Sequence, residues 1–404
     1  MNETTQSSRR QGSPLEVFLV FLRLGLMSFG GPIAHLGYFR DELVTRRGWL
    51  SEQAYGDLVA LCQFLPGPAS SQAGFALGLM RAGWLGGLAA FLAFTLPSAL
   101  LLFSLALSAG SLAGPVASGM VHGLKIVAVA IVFQAVWGMA RVFCPDPARA
   151  SIAVAAVAML AFIPGTFGLT GAIALGGSAG FLLGRGAGVP AGGRIGLPVS
   201  PGTGIAALSV FLVLLVLLPL VSGQSPVLAI LDGFYRAGAL VFGGGHVVLP
   251  LLQAEVVGPG WVSGDAFLSG YGAAQAVPGP LFTFAAYLGA LLDPAPNAVA
   301  GALLALLALF LPGFLVLIAV LPFWDRLRAL SWAQSVLQGT NAAVVGILGA
   351  ALYSPVFTSA IGDVRDLLLA LICVLALMSW KLPPWAVVLI AAVGGTGLEL
   401  AGRL

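Results

Sequence analysis

The chain has 404 residues, 59% of them hydrophobic and only 8% charged, with a mean hydropathy of +1.02. Charged side chains dominate the exposed surface of soluble domains, so a chain this poor in them excludes a water-soluble fold and points to lipid as the solvent. The net charge of +3 is scattered over short loops without a run or stripe, which excludes nucleic acid as a partner and fits basic loops retained on the cytoplasmic side.

In chain order, residues 1–13 are polar, carry Arg9 and Arg10, and lack a small-residue cleavage site; they read as a cytoplasmic tail. Two segments broken by Gly and Pro follow. The first, 15–31, ends in Phe29-Gly30-Gly31-Pro32, and the second, 51–80, contains Pro66-Gly67-Pro68. Glycine permits positive φ and proline removes a backbone donor, so both motifs predict helix breaks. Apolar segments near 84–108, 115–140, 150–163 and 168–184 complete a first repeat, 14–185. Residues 186–226 hold a Gly/Pro-rich linker and one additional apolar helix, about 206–222. The second repeat, 227–404, has its breaks at Phe242-Gly243-Gly244-Gly245 and Pro278-Gly279-Pro280, then apolar segments near 296–321, 332–352, 364–379 and 384–400. Cys62, Cys144 and Cys373 have neither disulfide nor metal-ligand spacing and read as packing residues.

The two halves are duplicates. Phe21, Arg23 and Gly25 recur 213 residues later as Phe234, Arg236 and Gly238, and Glu42 recurs as Glu255. At a shift of 212, Trp49 matches Trp261, and Gln63 with Pro66-Gly67-Pro68 matches Gln275 with Pro278-Gly279-Pro280. Basic loops alternate between the halves. Arg40, Arg46, Arg47, Arg81, Arg141, Arg149, Arg185 and Arg194 belong to the first half and the linker, whereas the second half has its basic residues at Arg326, Arg328 and Lys381, opposite first-half turns that have none. Inverted-topology repeats require such alternation, and the single extra helix turns the second half over.

Two topologies are compatible with the breaks. Full crossings give about 13 spans and leave Arg40, Arg46 and Arg47 outside. Re-entrant hairpins put every basic loop inside, entering from the cytoplasm in the first repeat and from outside in the second. We favour hairpins. The expected fold is an all-α polytopic membrane protein of two inverted-topology repeats, with broken, re-entrant helices around a midplane anion site.

The chemistry expected there is electrostatic. Arg23 and Arg236 are intramembrane charges, which cost a few kcal/mol and default to function, although snorkelling or pairing with Asp232 would also account for them. Broken helices expose amides with partial positive charge, so Gly30, Gly31, Gly243 and Gly244, with both Pro-Gly-Pro triplets, are candidate anion ligands. Guanidinium forks suit tetrahedral oxyanions. Lys125, with Asn341 at its repeat position, is a third candidate cation. Gln63 and Gln275 are candidate amide donors to a ligand or to the broken backbone. Asp57, Glu42, Glu255, His35 and His246 are candidate proton carriers, with His122 a third histidine titrating near neutrality; for Glu42 and Glu255 a water-facing loop helix is the plainer expectation. No nucleotide, metal-protease or serine-hydrolase signature stands in a suitable context, so neither a cofactor nor enzymatic activity is expected.

Phe29-Gly30-Gly31-Pro32 with His35, Trp49 with Ser51, and Gln63 through Pro68, together with their second-half echoes, resemble the chromate ion transporter family in its long, two-domain form. The resemblance covers essentially the whole chain; Gly245 stands where the first repeat has Pro32. It implies a multi-pass protein of the bacterial inner membrane that extrudes chromate, driven by the proton motive force. Sulfate uptake or exchange, a passive anion channel, and an intramembrane enzyme or lipid-handling protein are the competing readings. The expected partners are an oxyanion and the bilayer, with a homodimer as a further possibility.

Overall fold

The computed structural model describes residues 12–109, 114–184, 199–293 and 295–401. Arg9, Arg10, Arg185 and Arg194, with most of the tail and linker, lie outside the described residues, among which every regular element is helical.

The first repeat contains α1 (Pro14–Met27), α2 (Gly31–Phe39), α3 (Glu52–Phe64), α4 (Ala69–Ala109), α5 (Pro115–Phe143), α6 (Pro147–Phe162) and α7 (Thr166–Leu183). The linking helix is α8 (Pro201–Val221). The second repeat contains α9 (Pro226–Ala239), α10 (Val248–Val256), α11 (Gly264–Ala274), α12 (Phe284–Leu291), α13 (Ala298–Val320), α14 (Trp324–Leu327), α15 (Ser331–Ala351), α16 (Thr358–Ala360), α17 (Val364–Met378) and α18 (Pro384–Ala401). Helix starts follow from capping chemistry: Ser13, Ser51, Asp146, Ser200, Ser225, Ser263, Asn297 and Asp363 each accept a first-turn amide. Seven helical segments, 69–108, 115–143, 166–183, 201–224, 298–327, 331–360 and 384–401, are long and apolar enough to cross a membrane.

The broken segments of the first repeat are re-entrant. Gly12 N–H donates to the Arg81 carbonyl at 3.0 Å, Arg81 pairs with Glu16 at 3.1 Å, and the same guanidinium lies 5.2 Å from the Trp49 ring centre. Residues 12–16, 49 and 81 therefore share one level. α4 is interrupted at Ala82 and Gly83 (φ +64°), so its 69–81 arm is separate from the long arm that follows. Gly25, near the end of α1, packs so closely that a Cβ would lie 2.9 Å from the Ala93 and Phe94 carbonyls, halfway along that long arm. With 14 residues, α1 is about 21 Å long, short of a hydrocarbon core of about 30 Å. The chain thus enters to mid-depth, breaks at Ser28–Gly31 and returns to the level of Arg81 by Trp49. It enters again through α3, turns at Pro66-Gly67-Pro68 and returns through 69–81. The second repeat does the same: Gly238 packs against Leu309 and Pro312, midway along α13, and Asp293 N–H reaches the Trp261 carbonyl.

The two repeats run in opposite senses. Gly204, at the start of α8, meets Ala319 at the end of α13 and Pro322 just beyond it, and Arg328 reaches Asp57, midway along the short α3. α13 therefore ends on the face where α1 and the long arm of α4 begin, here called face A; the opposite one is face B. Following the crossings, face A holds Arg40, Arg46, Arg47, Arg81, Arg141, Arg149, Arg326 and Arg328, whereas the described loops and helix ends of face B carry Asp265, Asp293 and Asp363 with a single cation, Arg365.

The repeats also exchange helices. α5 of the first packs on α17 and α18 of the second, and α15 of the second packs on α6 and α7 of the first. Small residues permit this approach: Gly119 and Gly123 meet Gly395 and Ala391, and Gly176 and Gly180 meet Gly339 and Ser335. Where lipid removes the hydrophobic drive between helices, glycines spaced by four allow backbones to touch.

Candidate functional site

The four breaks cross at mid-depth in a reciprocal arrangement. Gly67 N–H donates to the Val241 carbonyl at 2.8 Å, and Gly279 N–H donates to the Ser28 carbonyl at 2.8 Å. Each Pro-Gly-Pro tip thus binds the broken backbone of the other repeat. Proline has no N–H, so the central glycine supplies the one amide donor of each triplet. Gly67 (φ +113°) and Gly279 (φ +100°) also lie where a side chain is disfavoured. A Cβ would come within 2.9 Å of Gly313 Cα at the first tip and 2.8 Å of Ser98 Oγ at the second. Gln72 ties the first tip further, donating to the carbonyls of Pro66 (2.9 Å) and Gly313 (2.8 Å). The departure at Gly245 shows here: α2 begins directly at Gly31, whereas a 3₁₀ turn, Gly245–Val247, precedes α10.

One crossing borders a narrow cleft of about 20 Å³ lined by Gly30, Gly31, Pro32, His246, Gln275 and Gly279, space for about one water. α2 opens on it without a side-chain cap. Gln275 Nε2 is buried with no hydrogen-bond partner, and His246 Nδ1 is 2.7 Å from Tyr271 Oη. On the first-repeat side, His35 Nδ1 contacts Ser70 Oγ at 3.3 Å, while Ser28 Oγ and Thr95 Oγ1 are buried without partners. Native interiors satisfy nearly all such atoms, so this concentration of unspent polar capacity marks the crossing. Of the residues here, sequence reasoning missed Ser28, Gln72, Thr95 and Tyr271; the polar run Ser70-Ser71-Gln72 straight after a helix break was a usable signal.

The charged candidates are arranged differently from the expectation of two arginines facing one pocket. Neither guanidinium lines the cleft. Arg236 donates through Nε and Nη2 to Glu255 at 3.0 and 2.8 Å, also pairs with Asp232 at 3.0 Å, and Thr166 Oγ1 donates to the same Glu255 carboxylate. The Glu255 side chain is only 10% exposed, on α10, which packs against α9, α7 and α15. This ion cluster adjoins a crevice of about 730 Å³ on face B, whose wall includes Gly165, Ala254 and Val257. Lys125 reaches Asp265 at 2.9 Å, and His122 Nε2 reaches Asp366 at 2.7 Å. Asp57 pairs with Arg328 through Oδ1 at 3.5 Å, with its other oxygen buried and unbonded. Glu42 is paired with Arg46 and Arg47 at 3.0 and 2.8 Å; burial opposes its ionisation, but these two hydrogen-bonded guanidiniums hold its carboxyl below the ordinary value. Gly243 faces Asn341, whose Oδ1 would be 3.3 Å from a Cβ there.

Arg23 stands apart. It lies on an exposed stripe of α1 with Leu15, Leu19, Leu26 and Met27, and it has no ion pair among the described residues. The stripe continues through Gly30 to Ile33, which is 83% exposed. α3 likewise exposes Gly56, Ala60 and Gln63. The equivalent positions of the second repeat are covered: Asp232, Ala239, Leu268 and Gly272 are buried, and α11 packs on α5. We call the second repeat closed, because other helices cover these faces of α9 and α11 although Gly244 at its break is exposed, and the first open, because the matching faces of α1 and α3 are bare.

The family model for the chromate transporter matches the chain twice, at residues 15–181 and 228–396. A chromate transport protein of Pseudomonas aeruginosa is 30% identical over 359 residues, 86% of this chain and 82% of that protein. A probable chromate transport protein of Synechococcus elongatus is 29% identical over 397 residues, 93% of each chain, and a chromate transport protein of Cupriavidus metallidurans is 26% identical over 385 residues, 91% of this chain and 88% of the relative. No solved structure matches. With both repeats matched and most of its length aligned to these relatives, the chain belongs to the chromate transporter family.

Proposed function

We propose that this protein is a secondary transporter that carries chromate out of the cell across the bacterial inner membrane at the expense of the proton motive force. Arg23 beside exposed, broken backbone at mid-depth is the observation that carries this reading. Irregular backbone at membrane depth is tolerated only inside protein or against a water-filled cavity, and an unpaired guanidinium beside it costs a few kcal/mol against lipid chains. The open face of the first repeat therefore fits an aqueous crevice. Its lining of Arg23, the amides at Gly30 and Gly31, and Gln63 suits a tetrahedral dianion. The basic residues of face A favour that face, and the N-terminus with it, as cytoplasmic. Cargo would then load from the cytoplasm in this conformation, and the crossing of the four breaks would separate it from face B.

The test is chromate flux in proteoliposomes with and without a pH gradient. A charge-assisted hydrogen bond contributes about 1.5–3 kcal/mol, so Arg23→Ala is expected to lower kcat/KM for chromate roughly 10- to 100-fold while the protein still inserts. Sulfate in excess separates a chromate-selective site from a general oxyanion site. Flux indifferent to the gradient would favour a channel. Parental liposomes no leakier than empty ones, or an Arg23→Ala variant with parental flux, would overturn the reading.

A further inference from the structure

We infer that Glu42 and Glu255 are alternating positioning carboxylates: each withdraws the arginine of its own repeat as that repeat closes over its breaks. This rests on the transport reading above.

Arg23 and Arg236 are equivalent at a shift of 213, and so are Glu42 and Glu255. One sequence pattern therefore exists in two states within one molecule. In the closed second repeat the pair is made, with two hydrogen bonds and Thr166 as an added donor. In the open first repeat it is not: Arg23 is exposed and Glu42 is held by Arg46 and Arg47. Two local differences account for the asymmetry. At a shift of 213, Arg46 and Arg47 correspond to Pro259 and Gly260, so those positions put no rival cation beside Glu255. Asp232, the second acid on Arg236, corresponds to Leu19, so Arg23 released from Glu42 keeps its full charge for a dianion.

Inverted repeats that surround one site can exchange conformations, the first adopting what the second now shows. The exchanged state closes face A, brings Glu42 onto Arg23, and parts Glu255 from Arg236 on face B. A carboxylate that takes the guanidinium as the repeat closes removes the anion's principal ligand, so cargo is released rather than trapped. Binding of a dianion to Arg23 in turn holds the first repeat open, since ligand and carboxylate compete for the same fork.

Geometry offers a direct test. A Cβ on Gly233 would lie 3.4 Å from the Glu255 Cβ, near the spacing of a disulfide, and Val20 is the first-repeat equivalent of Gly233. In a background with Cys62, Cys144 and Cys373 replaced by alanine, the parental chain is first assayed for chromate flux in proteoliposomes, which tests the transport reading alone. Gly233→Cys/Glu255→Cys is expected to cross-link on mild oxidation without substrate and to lose the flux that its reduced form has. Val20→Cys/Glu42→Cys is expected to stay reduced at rest and to cross-link several-fold faster when chromate and a pH gradient drive turnover. As a second readout, Glu42→Gln and Glu255→Gln are expected to lower kcat several-fold with KM unchanged or lower, because the arginine is no longer withdrawn. With parental flux intact, a Val20–Glu42 pair that never links during turnover, or links equally fast at rest, overturns the inference. So does a linked Gly233–Glu255 protein that still transports, or parental kcat in both glutamine variants.

Discussion

Gly67 and Gly279 illustrate how much can depend on one missing methyl. At each, the amide spans the repeats, φ is positive, and the space for a Cβ is taken by the opposite repeat. Gly67→Ala should therefore incur a left-handed backbone penalty of about 1–2 kcal/mol and an overpacking penalty of about 1–3 kcal/mol. Gly83 is the control: its φ is +64°, but a Cβ added there would have no atom within 4 Å, so Gly83→Ala should show the backbone part alone. Thermal unfolding in detergent, read by fluorescence, would rank Gly67→Ala and Gly279→Ala well below Gly83→Ala. Equal losses at all three would show that the crossing carries no packing constraint. The Pro-Gly-Pro triplets were conspicuous in the sequence, whereas their acceptors, the carbonyls of Ser28 and Val241, were not. A backbone carbonyl leaves no trace in side-chain identity.

At the scale of elements, the long helices follow from apolar length alone, and segments read near 84–108, 115–140 and 384–400 end within a few residues of the observed helices. The broken arms were harder, because a 14-residue α1 matches neither a span nor a loop, and contacts with Arg81 were needed to establish its return. The pairing of α5 with α18, and of α15 with α7, was not legible either. It joins glycines far apart in the chain, and glycine is so frequent here that no one pair stands out. The packing makes a specific prediction. A Cβ at Gly123 would overlap the Ala391 carbonyl at 2.0 Å, whereas Gly138, on the same helix, has no atom within 4 Å. Gly123→Leu should separate α18 from α5 and expose the α17–α18 turn near Lys381 to trypsin, with Gly138→Leu indistinguishable from the parent. Protease resistance retained in Gly123→Leu would mean that α18 is held by other contacts.

For the whole molecule, duplication and alternating basic loops were enough to expect inversion, but two copies of one sequence pattern cannot reveal that one is open and the other closed. That asymmetry is a property of the conformation. What inversion does fix is where matching residues emerge. Gln53 lies at the start of α3 on face A, and Gly264, next to the matching position of the second repeat, lies at the start of α11 on face B; both are exposed. With single cysteines at these sites in intact cells, an impermeant maleimide should label Gly264→Cys at once and Gln53→Cys only after the membrane is opened. Ala329→Cys, in the second repeat but exposed on face A just beyond α14, should behave like Gln53→Cys. Full crossings by the broken segments would instead carry Gln53 outside while leaving Ala329 in place, so labelling of Gln53→Cys in intact cells would reject the hairpins. Labelling of Ala329→Cys without Gly264→Cys would reverse the whole molecule in the membrane, and with it the direction from which the open crevice loads.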